Sequence, residues 1–182
     1  QTIAAPPDPF NARQLLGTLS RSGEPGYGTV ADEFLQRVLL QQEEEPLLPP
    51  HALGHMFGCV LQCYCNDAID NTQSIDQAFA ILDQWETAYA ANPDAIHLSA
   101  TPYRTTLDAL VRLPDENAED KACQMAVDLV HRLEHQYLQG NERIVLQKKM
   151  YNTSILCCSN SDKHEALIRE SFRRMNFPPS HS

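Results

Sequence analysis

Two histidines and two cysteines at four-residue intervals form the chain's most suggestive chemical pattern. They are His51, His55, Cys59 and Cys63. Imidazole and thiolate groups are zinc ligands, and this spacing would align all four on one face of a helix. The outer two would lie about 18 Å apart at about 1.5 Å of rise per residue, so one ion cannot bind all four. The pattern therefore favours buried packing, and a two-residue site completed by ligands elsewhere is the alternative.

The spacing of the remaining cysteines matches no recognisable catalytic or metal-binding motif. Cys63 and Cys65 flank a tyrosine, and Cys157 adjoins Cys158, which is neither redox-motif nor zinc-finger spacing. Six cysteines in 182 residues are too sparse for a disulfide scaffold, so all are predicted to be reduced core thiols in an intracellular compartment.

Enzyme motifs are likewise missing. Glu43, Glu44 and Glu45 precede a proline, as expected of a solvated helix end. The sequence contains no glycine-rich phosphate loop, nucleophile elbow or zincin motif. We therefore expect no catalytic activity, metal site, cofactor or small-molecule substrate.

Charge is distributed unevenly along the chain. Residues 1–100 contain 3 Lys and Arg against 13 Asp and Glu, whereas residues 101–182 contain 11 of each. From Arg143 onward there are 7 basic and 3 acidic residues, so a polyanion should prefer this end. No run of 18 apolar residues occurs, which predicts no membrane-spanning segment and no membrane partner.

Aromatic residues recur at a nearly constant interval. Phe10, Phe57, Tyr103 and Tyr151 are separated by 47, 46 and 48 residues, and each opens a segment with helical apolar spacing. A second helix follows, and its early alanines Ala31, Ala78 and Ala126 are separated by 47 and 48 residues. Two independent markers with one period indicate repeated helical hairpins.

The second helices also align residue by residue. Leu35, Leu82 and Val130 correspond, as do Val38, Trp85 and Leu133. Core packing is favoured over base stacking for Trp85 and for Tyr89, one turn later, because equivalent apolar positions face a neighbouring hairpin.

The pattern predicts an all-α protein: a right-handed α-solenoid of about four hairpins, with a period of about 47 residues. The expected repeats are residues 8–50, 51–100, 101–148 and 149–180, in one domain cut from a longer array. An ordinary helical bundle with accidental spacing is the alternative.

The last repeat, YNTSILCCSNSDKHEALIRESFRRMNFPPS, resembles the pentatricopeptide repeat, and the segment from Thr101 is similar to the lengthened form found in algae. The related tetratricopeptide repeat is the second choice. The resemblance implies single-stranded RNA binding in mitochondria or chloroplasts, in transcript processing, stability or translation, with one base read per repeat. The rival function is a protein-binding scaffold that uses the concave face.

The resemblance also implies which residues contact RNA. The residue after each aromatic marker would read a base: Asn11, Gly58, Arg104 and Asn152. Its partner would lie at the repeat's end: Leu53, Ser99, Gln147 and Ser180. Gly58 departs from the pattern because it has no side chain. Phosphate contacts are expected from Arg143, Lys148 and Lys149, near Arg104.

Overall fold

A computed structural model describes residues 9–44, 48–113, 119–159 and 165–176. These residues form helices and connecting turns, without a strand. The helices are α1 (Pro9–Ser22), α2 (Gly28–Glu44), α3 (Pro50–Asp67), α4 (Ser74–Ala91), α5 (Thr101–Leu110), α6 (Glu119–Leu138), α7 (Lys148–Cys157) and α8 (Glu165–Asn176). The predicted all-α class is confirmed. None of the described helices combines the length and apolar character needed to cross a membrane.

The chain divides into two compact units, residues Gln1–Leu98 (unit 1) and Ser99–Ser182 (unit 2). In unit 1, α3 packs against α1, α2 and α4. The aromatic marker misplaced the start of α3, because Phe57 lies seven residues after Pro50. Pro50 is well suited to a first turn, where its missing N–H leaves no hydrogen bond unmade.

The core of unit 1 contains the residues that the alignment predicted. Ala31, Leu35 and Val38 of α2 are buried, as are Ala78 and Leu82 of α4. The Trp85 ring, also buried, stacks on Phe57 with centroids 5.8 Å apart, and its Nε1–H donates to the His97 carbonyl at 3.0 Å. The prediction that Trp85 is a core residue is therefore confirmed, while Tyr89 is half-buried.

A buried carboxylate fixes the start of α2. Asp67, at the end of α3, accepts backbone N–H groups from Gly26 at 2.6 Å, Tyr27 at 3.2 Å and Gly28 at 2.8 Å. A Cβ on Gly28 would lie 2.3 Å from the Tyr64 ring, so only glycine permits this approach. Two of these N–H groups, those of Tyr27 and Gly28, are among the donors that a helix start leaves unpaired, and Gly26 precedes them.

Unit 2 repeats the packing scheme of unit 1. The helix α7 packs against α5, α6 and α8, as α3 does against its neighbours. Tyr103 and Tyr151 are buried, together with Ala126, Val130 and Leu133 of α6. Pro102 lies in the first turn of α5, as its missing N–H predicts.

A second buried carboxylate lies in unit 2. Glu134 of α6 accepts a hydrogen bond from the Tyr151 hydroxyl at 2.9 Å and forms an ion pair with Arg174 of α8. Arg174 also bonds Glu170 at 2.7 Å. Side chains on two other helices, α7 and α8, therefore neutralise and orient this carboxylate.

Two of the six cysteines contradict the prediction that all are reduced. Cys123 of α6 and Cys158, at the end of α7, form a disulfide with Cα atoms 4.5 Å apart. Sequence spacing did not reveal this pair because helix packing brings together residues 35 positions apart. Cys59, Cys63, Cys65 and Cys157 are not disulfide-bonded, and the first three are buried.

Candidate nucleic-acid interface

The first helices of unit 2 place several RNA-contact candidates on solvent-exposed surfaces. On α5, Tyr103 is buried and Arg104 is exposed. On α7, Tyr151 is buried and Asn152 is exposed, and Lys148 and Lys149 of the first turn are also exposed. Because α5 and α7 pack side by side, these candidates belong to two neighbouring helices of one unit. Asp108, one turn after Arg104, adds one half-buried acidic group to α5.

Hydrogen bonding fixes the rotation of α7 about its axis. The Tyr151 hydroxyl donates to Glu134, and burial together with this carboxylate raises the pKa of Tyr151 above its ordinary value. The phenol therefore stays protonated and anchored at neutral pH. Since Tyr151 is held inside the unit, the next residue, Asn152, stays directed toward solvent.

The first turn of α7 carries positive charge. Its first turn carries Lys148 and Lys149 and no acidic residue, and Gln147 provides no side-chain cap. Lysines at a helix N-terminus oppose the helix dipole, which costs about 0.3 to 1 kcal/mol each near a surface. A bound anion would relieve this repulsion.

The other candidates of unit 2 have different settings. Gln147 and Arg143 are exposed in the segment before α7, and the Arg143 backbone N–H donates to Asn141 Oδ1 at 3.1 Å. Ser99 is half-buried before α5, and its hydroxyl accepts the Thr101 N–H at 3.3 Å. Ser180 lies outside the described residues.

Unit 1 offers fewer groups for base recognition. Asn11 is exposed on α1, and Leu53 is half-buried on α3. A Cβ on Gly58 would lie 3.4 Å from the Trp85 ring, so this position faces the aromatic stack. Gly58 thus has neither a side chain nor an open setting for contacting a base.

The four residues of the histidine–cysteine pattern differ in their exposure to solvent. Among the described residues, no three His, Cys, Asp or Glu side chains are placed to hold an ion together. Cys59 and Cys63 are buried, as predicted, but His51 and His55 are exposed. The Cys59 thiol lies 3.6 Å from His55 Nδ1. Glu43 and Glu44 belong to the end of α2, and Glu45 lies outside the described residues.

Comparison with known proteins gives no relative: no family model, curated protein or solved structure matches this chain.

Sequence reasoning missed the two buried carboxylates that hold these units. Asp67 and Glu134 are separated by 39 and 40 residues from partners they bind, Gly28 and Arg174. The sequence carries a partial indication that Glu134 is buried, because this acidic residue directly follows the predicted core position Leu133. It carries no indication that Asp67 is buried, because an acidic residue near a helix end is ordinarily solvated.

Proposed function

We propose that this chain is an α-solenoid of the pentatricopeptide-repeat type and that unit 2 binds single-stranded RNA along α5 and α7. The observation that supports this most is the exposure of Arg104, Lys149 and Asn152 on two packed helices. Cations on such a surface attract phosphates, and Asn152 supplies an amide that can both donate and accept hydrogen bonds. Organellar transcripts are the expected targets by the same resemblance.

The phosphate contribution can be measured by its dependence on salt. Binding of the purified chain to a pool of short single-stranded RNAs should weaken as salt rises. The double variant Lys148→Gln/Lys149→Gln should lower the slope of log affinity against log salt by about 0.7 for each lost contact. Lys121→Gln, at an exposed position of α6, is the control and should leave the slope unchanged. Absence of binding at low salt would refute the proposal.

Base recognition needs a separate readout. Asn152→Ala should weaken binding of the preferred base by about 1 kcal/mol, while other bases bind as before. Because Asn152 is exposed, the unfolding transition should not move. Thr153→Ala, at the next position on α7, is the matched control. Unchanged base preference in the Asn152 variant would show that this residue does not read bases.

A second candidate function, protein binding, is favoured by an apolar groove in unit 1. The groove has a volume of about 540 Å³, and Leu39, Phe57, Ala88 and Ala91 supply its apolar lining. Asp83 also lines it, in a unit with 13 acidic and 3 basic residues, so a basic amphipathic helix is the complementary partner. Ala88→Arg should block such a peptide, whereas Ala90→Arg, at an exposed position of α4, should not.

A further inference from the structure

A second groove in unit 1 gathers basic groups in an otherwise acidic region. It has a volume of about 450 Å³ and is hereafter the arginine groove; its lining is Phe10, Arg13, Gln14, Gly17, Thr18, Arg21 and His55. Residues 1–98 contain only three Lys and Arg, and two of them line this groove. None of these lining residues is acidic. The local charge is therefore opposite in sign to that of the unit.

The sequence of α1 places the two arginines on one face of the helix. Arg13, Gly17 and Arg21 are spaced four residues apart and thus lie on one face of the helix. The Arg21 guanidinium folds back over Gly17, where its Nη1 lies 3.1 Å from the position of an added Cβ. It consequently sits about one turn from Arg13 along the helix rather than two.

A third basic group joins from α3, which packs against α1. His55 contributes its ring to the groove, and partial burial of this ring, together with repulsion from Arg13, Arg21 and His51, lowers its pKa. Among the described residues, no carboxylate forms an ion pair with either arginine. The groove therefore holds two cations whose charge is not neutralised locally by those residues.

An aromatic ring completes the groove. Phe10 is 61% exposed at the start of α1, and it lies about 5 Å of helix rise from Arg13. An exposed phenylalanine beside arginines offers a flat apolar surface on which a nucleobase can stack. The Thr18 hydroxyl, which donates to the Gln14 carbonyl at 3.0 Å, can still accept a hydrogen bond from a ligand.

We propose that the arginine groove binds a nucleotide phosphomonoester, with the phosphate held by Arg13 and Arg21 and the base stacked on Phe10. Two guanidiniums match the charge of roughly −1.5 to −2 that a phosphomonoester carries near pH 7, and their planar donors suit its oxygens. A phosphodiester carries one charge and would be held less strongly. The same phosphomonoester occurs on a free nucleotide and at the 5′-phosphorylated end of an RNA strand.

Titration calorimetry with the full chain tests this proposal. The probes are AMP, adenosine, inorganic phosphate and an RNA octamer with either a 5′-phosphate or a 5′-hydroxyl end. AMP should bind at least about tenfold more tightly than adenosine, since adenosine cannot form the charge-assisted bonds. Binding of AMP alone would identify the free nucleotide as ligand, and a 5′-phosphate advantage in the octamer would identify the strand end. Equal binding of AMP and adenosine, or no binding of either phosphomonoester, would overturn the proposal.

Matched variants locate the site. Arg21→Gln should reduce AMP affinity by about tenfold or more, because one of two charge-assisted contacts is lost. Arg37→Gln removes the third arginine of unit 1, at an exposed position of α2, and should leave affinity within about twofold. Phe10→Ala should weaken AMP binding but not phosphate binding. Equal losses of AMP affinity in Arg21→Gln and Arg37→Gln would show that AMP binds outside the arginine groove.

These outcomes are independent of RNA binding by unit 2. The 5′-hydroxyl octamer should respond to Lys148→Gln/Lys149→Gln and not to Arg21→Gln. Binding at one of these two sites can therefore be measured even if the other site binds nothing.

Discussion

Units 1 and 2 arrange their helices alike but neutralise a buried carboxylate by different chemistry. In unit 1, three backbone N–H groups surround Asp67, whereas in unit 2 the Tyr151 hydroxyl and Arg174 satisfy Glu134. Unit 1 contains 3 basic and 13 acidic residues, so it has few cations to place beside a buried acid. Backbone donors thus take over a role that an arginine fills in unit 2, which also contains the disulfide.

The largest difference between the units should appear on reduction. The disulfide Cys123–Cys158 closes a loop of 35 positions, which in the chain-entropy model is worth about 4 kcal/mol. Dithiothreitol should therefore destabilise unit 2. Trp85 is the only tryptophan and belongs to unit 1, so its fluorescence transition should stay in place while the far-ultraviolet dichroism transition moves. The denatured chain should contain four reactive thiols before reduction and six after it, and six at the outset would refute the bond.

Removal of the Asp67 carboxylate should have the next largest effect. Asp67→Ala leaves three N–H groups without their acceptor, and we expect a loss of about 3 kcal/mol in the free energy of unfolding. Denaturant unfolding followed by Trp85 fluorescence measures it. Asp70→Ala changes an exposed acid three residues later and should cost less than about 0.5 kcal/mol. Similar losses in both variants would mean that the hydrogen bonds to Asp67 contribute little.

The equivalent change in unit 2 should be milder. Glu134→Gln keeps a carbonyl that can accept from Tyr151 or Arg174, but it removes the charge, so we expect a loss of about 1 to 2 kcal/mol. Arg174 is about one-quarter exposed, which limits the Coulombic part. Far-ultraviolet dichroism during denaturation measures the change, with exposed Glu142→Gln as control. A loss above that of Asp67→Ala would reverse the proposed order of the two carboxylates.

Alkaline pH should weaken unit 1 through Tyr64. Burial, followed by the charge of Asp32, which accepts its hydroxyl at 3.1 Å, raises the pKa of Tyr64 to about 12. The unfolded chain loses this proton near pH 10, so the stabilisation is complete below pH 10 and disappears as pH rises through 12. Tyr64→Phe should flatten the decline in stability between pH 10 and 12.

Two other residues are needed to interpret the Tyr64→Phe experiment. Burial also raises the pKa of Cys63 to about 12, so a residual decline should persist in the Tyr64 variant. Tyr27→Phe removes a half-buried phenol whose hydroxyl contacts Glu24 at 3.4 Å, and it provides the matched control. An undiminished decline in Tyr64→Phe would show that this phenol does not govern the alkaline transition.

The sequence predicted the helices well because their signals are local. The buried positions of α2, α4 and α6 followed from apolar residues at helical spacing, as Ala31, Ala78 and Ala126 illustrate. The start of α3 was wrong because an aromatic residue marks a core position, not a helix start. The disulfide and the Asp67 contacts depend on chain segments 35 to 41 residues apart, which periodicity does not encode.

The candidate RNA surface was predictable in part. The exposure of Arg104 and Asn152 follows from their positions directly after buried tyrosines, because successive residues of a helix point about 100° apart. The arginine groove was missed because the Arg21 guanidinium reaches the helix turn that follows Arg13 only by folding over Gly17. That side-chain conformation cannot be inferred from a spacing of eight residues.

The Asp67 hydrogen bonds also constrain the order in which the chain can fold. The first turn of α2 receives its acceptor from a residue 39 positions after Gly28, so the α1–α2 hairpin cannot be completed from its own residues. During synthesis, all of α3 must emerge before these donors are satisfied, because Asp67 is its last residue. Until then, the backbone N–H groups at the start of α2 can bond only to water. When α3 emerges, it packs against the α1–α2 hairpin and supplies the acceptor for these groups.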